Sequence, residues 1–248
     1  MDSWSERCAV VIPCFNEGRT ISDLVDAVRG HLQSVIVIDD ASTDETADRA
    51  TRAGATILRH SKSAGKGAAL MTGFEAAIEK GVAWALALDG DGQHAPGDIP
   101  CFLRAAETRA ARMIVGNRIG RTGSMPLVRR WVNGWMSARL SDFCGLDFPD
   151  SQCGFRMIHL PSWKQLSFKA RHFEIESELL VRFAFAGWGI EFVPVQTRYA
   201  EERSKISPLR DTLRWFRWWR KIQAEFEREQ KGSSRLAVRP PLADHQTS

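Results

Sequence analysis

An α/β fold on a mainly parallel central sheet is what this sequence calls for, on three grounds. Short apolar runs rich in β-branched residues alternate with stretches of helical periodicity through the first half of the chain. One such run, Ser34–Ile38, is apolar after its first residue, as befits a strand covered on both faces. The strand ends also carry carboxylates, at Asn16–Glu17, Asp39–Asp40 and Asp89–Asp91. Strands alternating with helices in this way build right-handed βαβ units, which bring successive strand ends to one edge.

The elements follow in order. Ala9–Ile12 reads as the first strand, and Thr20–Leu32 as a helix with Ile21, Leu24, Val25 and Val28 on one face. After the strand Ser34–Ile38 comes a helix over Thr43–Ala53, with Thr43 or Asp44 as its N-cap. Thr56–Arg59 is a short strand and Gly67–Lys80 a helix. Val82–Leu88 is a strand that stops at Asp89, Asp98–Thr108 a helix and Met113–Val115 a strand. Further on, 173–186 is expected as a helix and 190–195 as a strand. Residues 1–207 are expected to form the main domain, 208–230 an amphipathic helix and 231–248 a polar, disordered tail.

A chain of 248 residues can bury one sizeable α/β core with a short appendage, and 44% hydrophobic with 26% charged residues suits a folded globular protein. The net charge of +4 is modest, but the basic residues cluster: Arg203 to Lys221 holds seven against the single acid Asp211. The five cysteines have no paired spacing and are expected as reduced, packed thiols. MDSWSERCAVVIPCF has no run long enough for a signal peptide, and no stretch approaches a membrane span. A cytoplasmic protein, at most peripheral to a membrane, is therefore expected.

Open α/β sheets bind ligands beyond the carboxyl ends of their strands, where strand order reverses. Asp89-Gly90-Asp91-Gly92-Gln93-His94 sits at such an end. Asp89 and Asp91 can reach one divalent cation there, with Gln93 adding a neutral oxygen, and hard oxygens suit Mg²⁺ or Mn²⁺. A calcium-binding helix–loop–helix is excluded, because nothing supplies the later ligands of a twelve-residue loop. Asp39 and Asp40 end another strand, where a carboxylate can accept hydrogen bonds from a base or a ribose. Ser63-Ala64-Gly65-Lys66-Gly67 lacks the GxxxxGK[ST] pattern of nucleoside-triphosphatases and reads instead as a glycine-rich entry to a helix.

Taken in order, VVIPCFNEGRTI, VIVIDDASTDET, SAGKGAALMTGFEAA, LALDGDGQHAPGDIP and DSQCGFRM resemble the family 2 glycosyltransferases. Within them the chain looks like the dolichol- and polyprenyl-phosphate sugar transferases, over roughly residues 8–207. The resemblance implies the GT-A fold, a Rossmann-like three-layer α/β/α nucleotide-binding domain. It implies inverting, metal-dependent transfer from a nucleotide-diphosphate sugar, GDP-mannose or a UDP-hexose, to a lipid phosphate. Carried over, Pro13, Phe15 and Glu17 match a nucleotide-contacting segment, and Ile38 and Asp40 the base- and ribose-binding pair. Asp89, Gly90 and Asp91 fall on the acidic metal and sugar-phosphate motif, with Gln93 as a further metal ligand. Gly90 stands where alanine is frequent, a change expected to cost little. Arg118 matches an arginine near the donor sugar and phosphates. Lys205 matches a basic loop over the diphosphate, with Arg198 or Arg203 as its companion. Asp150 lies in the acceptor-side motif. Asp91, Asp150 and Lys205 are thus the expected catalytic set.

Trp215, Trp219, Ile222 and Phe226 recur at helical spacing among Arg214, Arg217, Arg220 and Lys221. Such a helix can lie in a membrane interface or dock its apolar stripe on the domain. The family resemblance implies a further helix over Trp131–Leu140. A polysaccharide, protein or small-molecule acceptor remains an alternative to the lipid phosphate. The Arg- and Trp-rich segments also suit a nucleic-acid-binding module. Against it, Glu17, Asp39, Asp40, Asp89 and Asp91 at the mouth would repel an anionic strand, so nucleic acid is not an expected partner.

Overall fold

The computed structural model describes residues 4–108, 110–118, 127–197 and 208–236. A short helix α1 (Trp4–Arg7) leads into β1 (Cys8–Cys14). There follow α2 (Ile21–Arg29), β2 (Val35–Asp39), α3 (Thr46–Arg52), β3 (Thr56–Arg59), α4 (Lys66–Glu79) and β4 (Trp84–Ala87). A 3₁₀ turn at Pro96–Asp98 opens α5 (Ile99–Thr108), then come β5 (Ala111–Asn117) and α6 (Leu127–Cys144). The unit closes with β6 (Arg156–His159), α7 (Leu160–Trp163), α8 (Ile175–Phe185) and β7 (Gly189–Pro194). Residues Met1–Arg203 form one compact unit and Ser204–Ser248 another.

Among the described residues the strands form a seven-stranded sheet in the order β3-β2-β1-β4-β6-β5-β7. The β1–β2, β2–β3, β1–β4 and β5–β7 pairings are parallel, and β6 runs antiparallel to both β4 and β5. The mainly parallel sheet with flanking helices is the architecture the alternating pattern predicts. β6 was not expected from local pattern: Arg156–His159 is a four-residue strand within a motif read for its chemistry. Every residue of β2 is buried, as an apolar strand between two helical layers requires. On α2 the buried residues are Ile21, Leu24, Val25 and Val28, the face that the sequence spacing marks.

Two boundaries move for a physical reason. Helix α3 starts at Thr46, and its N-cap residue Glu45 makes no side-chain capping bond. Asp44, one residue outside that position, does serve the helix start: it accepts the backbone N–H of Thr46, the first residue of α3, at 3.0 Å, and that of Gly18 at 3.0 Å. It therefore ties the β1–α2 loop to the start of α3. In the second unit, helix α9 (Pro208–Leu236) opens on Pro208, whose fixed φ suits a first helical turn. Trp215 and Trp219, one turn apart, stack at 5.4 Å with planes 9° apart. The helix continues through residues 231–236, which the polar composition suggested as tail; 237–248 lie outside the described residues. No helix among the described residues is long and apolar enough to cross a membrane.

Sheet order decides where the chemistry sits. The chain winds outward from β1 to β3, then crosses back to place β4 on the other side of β1. The crevice beyond the carboxyl ends of β1 and β4 is thus the switch point. Asn16–Glu17 and Asp89–Asp91 flank it, with Asp39–Asp40 one strand away.

Candidate active site

The β1–α2 loop is held by side chains of the β2–α3 loop. Asn16 adopts a left-handed conformation with φ 54°, its N–H donates to Ser42 Oγ at 2.8 Å, and its Oδ1 accepts from the Thr43 N–H at 2.8 Å. The Glu17 N–H donates to Thr46 Oγ1 at 2.8 Å. Thr20 then clamps the neighbouring loop, its Oγ1 donating to the Gly90 carbonyl at 2.7 Å. Asp91 is shaped by an Asx turn in which the Gln93 N–H donates to Asp91 Oδ1 at 3.0 Å.

Gly90 packs closely against Cys14 and Glu17. A Cβ there would come within 2.6 Å of Cys14 Sγ and 3.2 Å of Glu17 Cγ. The expectation that alanine substitutes cheaply is corrected on that ground: Cys14 fills the space an alanine methyl would need.

Asp89 meets a cation already present in the chain. Lys66 Nζ lies 2.5 Å from Asp89 Oδ1 and 2.6 Å from Glu176 Oε1, and the Phe173 ring stands 5.6 Å from the same ammonium. Burial of the Lys66 amine works to lower its pKa, but Asp89 and Glu176 together hold it above the usual lysine range. Burial likewise opposes ionisation of Asp89, and Lys66 outweighs it, so the carboxyl stays ionised well below the ordinary range. Gly154 makes the contact possible, since a Cβ there would lie within 2.9 Å of Lys66 Nζ and both Asp89 oxygens. His94, buried, accepts from the Asp89 N–H on Nδ1 at 3.2 Å and stacks on Phe155. Its pKa is pushed down to about 4, chiefly by burial, which leaves it neutral.

Asp40 is fully engaged. One oxygen accepts from the Ala64 N–H at 2.8 Å and faces His60 Nδ1 at 2.7 Å; the other accepts from Ser63 Oγ at 2.8 Å and the Gly65 N–H at 2.9 Å. Burial works against its charge, and these donors prevail to hold its pKa down. Asp39 Oδ1 accepts from the Ser42 N–H at 2.8 Å, while Arg59 Nε stands 3.0 Å from Oδ2 without an aligned hydrogen bond. A cavity of about 420 Å³ opens here, lined by Ala41, Arg59, His60 and Ser61.

On the far side, Arg118 and Asp150 form a buried fork. Nε donates to Oδ2 at 2.7 Å, Nη2 to Oδ1 at 2.8 Å, and the Arg118 N–H to Oδ2 at 3.1 Å. Burial would raise the Asp150 carboxyl, and Arg118 more than cancels that. Beneath it, the fully buried Arg156 donates to the carbonyls of Cys153 at 2.7 Å, Ser151 at 2.7 Å and Glu176 at 2.5 Å. Arg156 thereby fixes the 151–156 segment that carries Gly154.

Residues 9–165, well over half of the chain, match the family described as glycosyl transferase family 2. The chain belongs to glycosyl transferase family 2. It is 28% identical over 215 residues to UDP-N-acetylglucosamine--dolichyl-phosphate N-acetylglucosaminyltransferase of Methanococcus voltae, covering 77% of this chain and 86% of that protein. It is 29% identical over 204 residues to undecaprenyl-phosphate mannosyltransferase of Micrococcus luteus, covering 76% and 82% respectively. Its fold is similar to that of Mycobacterium tuberculosis glucosyl-3-phosphoglycerate synthase solved with Mn²⁺, uridine-diphosphate and phosphoglyceric acid. That match has a TM-score of 0.63 at 23% identity, over 85% of this chain and 75% of that one. Family 2 membership makes this protein a glycosyltransferase, and so decides for an enzyme over a nucleic-acid-binding module.

Within this family 2 enzyme, Pro13, Phe15 and Glu17 stand at the β1 end beside the Asp89–Asp91 loop. Phe15 is exposed at the mouth. Ile38 is fully buried in β2, packed where α4 passes at Gly73, so its side chain belongs to the core rather than to a nucleotide cleft. Arg198, Arg203 and Lys205 lie outside the described residues. Lys66, His94, Arg156 and Glu176 are the neighbours that local reading missed. Lys66, His94 and Arg156 each lie inside a motif the sequence marks, though without a role assigned to them there. Glu176 had no such signal, because its partner lies far away in sequence and meets it only on folding.

Proposed function

We propose that this glycosyltransferase moves a sugar from a nucleotide-diphosphate donor, a UDP-hexose or GDP-mannose, to a polyprenyl or dolichyl phosphate. In this reading it is an inverting, metal-dependent enzyme, peripheral at the cytoplasmic face of a membrane. One observation carries the reading: Asp89, paired with Lys66, and Asp91 in the same loop lie at the switch between β1 and β4 in a family 2 chain. The named functions of the relatives from Methanococcus voltae and Micrococcus luteus support a lipid-phosphate acceptor.

The residues fit Mg²⁺ or Mn²⁺ in one particular way. No group of three or more His, Cys, Asp or Glu side chains among the described residues forms a metal cage. A hard cation that is completed by substrate phosphates needs only one or two carboxylates. Asp91 with Gln93 offers such a partial set, and Asp89 adds to it. When bound, the ion supplies Lewis-acid stabilisation of the departing diphosphate.

The protein's own groups do the rest by position. The cavity beside Arg59 and His60 suits the base, with Asp40 holding the 60–65 loop that walls it. Phe15 offers an exposed ring at the same mouth. In this reading Arg118 meets the donor phosphates, and Asp150, with both oxygens engaged by it, acts by orienting Arg118 rather than as a base. No base is needed, because a phosphate monoester with a second pKa of about 6 is already largely ionised at neutral pH. In this reading Lys205, with Arg198 or Arg203, binds the diphosphate; all three lie outside the described residues. Rate enhancement then comes from alignment and from charge stabilisation.

The acceptor's lipid has a surface to approach. Helix α6 exposes Val128 and Trp131 at 76% and 72%, one turn apart, and the Arg139 guanidinium lies 5.5 Å from the Trp135 ring. Apolar and basic groups mixed in this way suit an interface with anionic headgroups.

The test incubates the protein with labelled UDP- and GDP-sugars, Mn²⁺ and a polyprenyl phosphate, and follows label into organic solvent. Transfer to the lipid, abolished in Asp91→Ala with the fold retained, is expected. Label appearing only in water-soluble products, or wild-type turnover in Asp91→Ala, would overturn it.

A further inference from the structure

We infer that Lys66 is a resident counter-cation that guards Asp89, and that Glu176 receives its ammonium when a metal–diphosphate ligand claims Asp89. The inference rests on the donor proposed above and assigns Lys66 and Glu176 positioning roles for it.

Four observations carry it. Lys66 opens α4 and Glu176 lies in the first turn of α8, and the ammonium sits nearly midway, 2.5 Å from Asp89 and 2.6 Å from Glu176. Exposure is uneven: the Asp89 side chain is 28% exposed, Lys66 13% and Glu176 5%. Asp89 is thus the end of the triad a ligand reaches first, and Glu176 lies behind.

The third observation is an empty acceptor. Glu176 Oε2 is buried and has no hydrogen-bond partner among the described residues. A buried carboxylate oxygen left unmade costs free energy, and an ammonium has three donors to offer. A lysine released from Asp89 can spend the freed donor on that oxygen, with the Phe173 ring already beside it. The fourth is Gly154, whose bare Cα leaves the space in which Lys66 and Asp89 meet.

The consequence is coupled binding. An ammonium in contact with Asp89 competes with a divalent ion for the same oxygens, so the metal alone binds weakly. A diphosphate brings the extra negative charge that makes the exchange favourable, and Lys66 moves onto Glu176. Metal and nucleotide therefore enter together, each raising the other's affinity by the same factor.

The experiment measures Mn²⁺ binding by electron paramagnetic resonance, with no nucleotide and then with UDP or GDP. It compares wild type, Glu176→Gln and the charge-balanced Lys66→Met/Glu176→Gln, with circular dichroism to verify folding. The balanced variant avoids leaving Glu176 buried without its cation. It should bind Mn²⁺ alone about tenfold or more tighter than wild type, since a like charge is removed within contact distance of the ion's ligand. Nucleotide should then enhance its Mn²⁺ affinity less than in wild type. In Glu176→Gln, which deprives the ammonium of its second site, Mn²⁺ binding in the presence of nucleotide should weaken. Unchanged Mn²⁺-only affinity in the balanced variant, beside nucleotide-dependent Mn²⁺ uptake in wild type, overturns the guarding role and leaves the donor reading standing. Wild type showing no nucleotide-dependent uptake would overturn the donor reading itself, and this inference with it.

Discussion

Asp150→Ala offers a direct measure of what the buried Arg118–Asp150 pair contributes. The carboxylate accepts the Nε, Nη2 and backbone N–H of Arg118 at 2.7, 2.8 and 3.1 Å, and its side chain is 4% exposed. Removing it leaves a buried guanidinium without the bidentate partner it is shaped around. Breaking a buried ion pair from one side costs about 3–5 kcal/mol. At roughly 2–4 °C per kcal/mol for a chain of this size, Tm should fall by about 6–20 °C. Scanning fluorimetry and denaturant titration at neutral pH read this out. Arg118→Met/Asp150→Leu, which removes both charges at similar volume, should recover most of the loss. The pH dependence has a definite sign. The folded-state pKa of Asp150 is depressed, so its stabilisation is present in full above the ordinary carboxylate range and is lost as pH falls through the folded value. The gap between wild type and Asp150→Ala should therefore narrow below about pH 4. A loss under about 1 kcal/mol at neutral pH, typical of exposed pairs, would refute the buried-pair argument.

Gly90→Ala should destabilise by about 1–3 kcal/mol through overpacking, and Cys14→Ala in the same chain should relieve part of it; additive losses in a double-mutant cycle would contradict the contact. Glu178 is fully buried, accepting from Arg182 Nε at 2.7 Å and from the Ala170 N–H at 2.6 Å. Glu178→Ala should cost about 3–5 kcal/mol by denaturant titration and speed proteolysis of the 167–174 segment. Trp131→Glu, at an exposed position, should change stability by no more than about 0.5 kcal/mol yet weaken binding to anionic lipid vesicles in flotation. Unaltered flotation would remove α6 from the membrane surface.

How much was legible in sequence differs between fold and site. The apolar residues of α2 and the uniformly buried β2 follow their local pattern, because periodicity reports directly which face is removed from water. Strand β6 escaped, since four residues around a buried arginine carry no alternation to read. Asp89 and Asp91 were legible as a strand-end pair. That Asp40 is consumed by the 60–65 loop, and that Ile38 points into the core, were not. Both positions match a family motif, and a motif records residue type without saying which neighbour has taken the side chain's hydrogen bonds.

The chain's local chemistry thus determined the alternation of strands and helices, the edge to which the carboxylates come and the family they resemble. Those properties depend on residues a few positions apart, where backbone geometry dictates what faces what. Tertiary structure alone decided the partners: Lys66 between Asp89 and Glu176, Arg118 with Asp150, Gly154 beneath the ammonium. Charges separated by tens of residues choose one another only after the sheet has brought their strands together. In a buried site, that choice sets which groups are still able to meet a ligand.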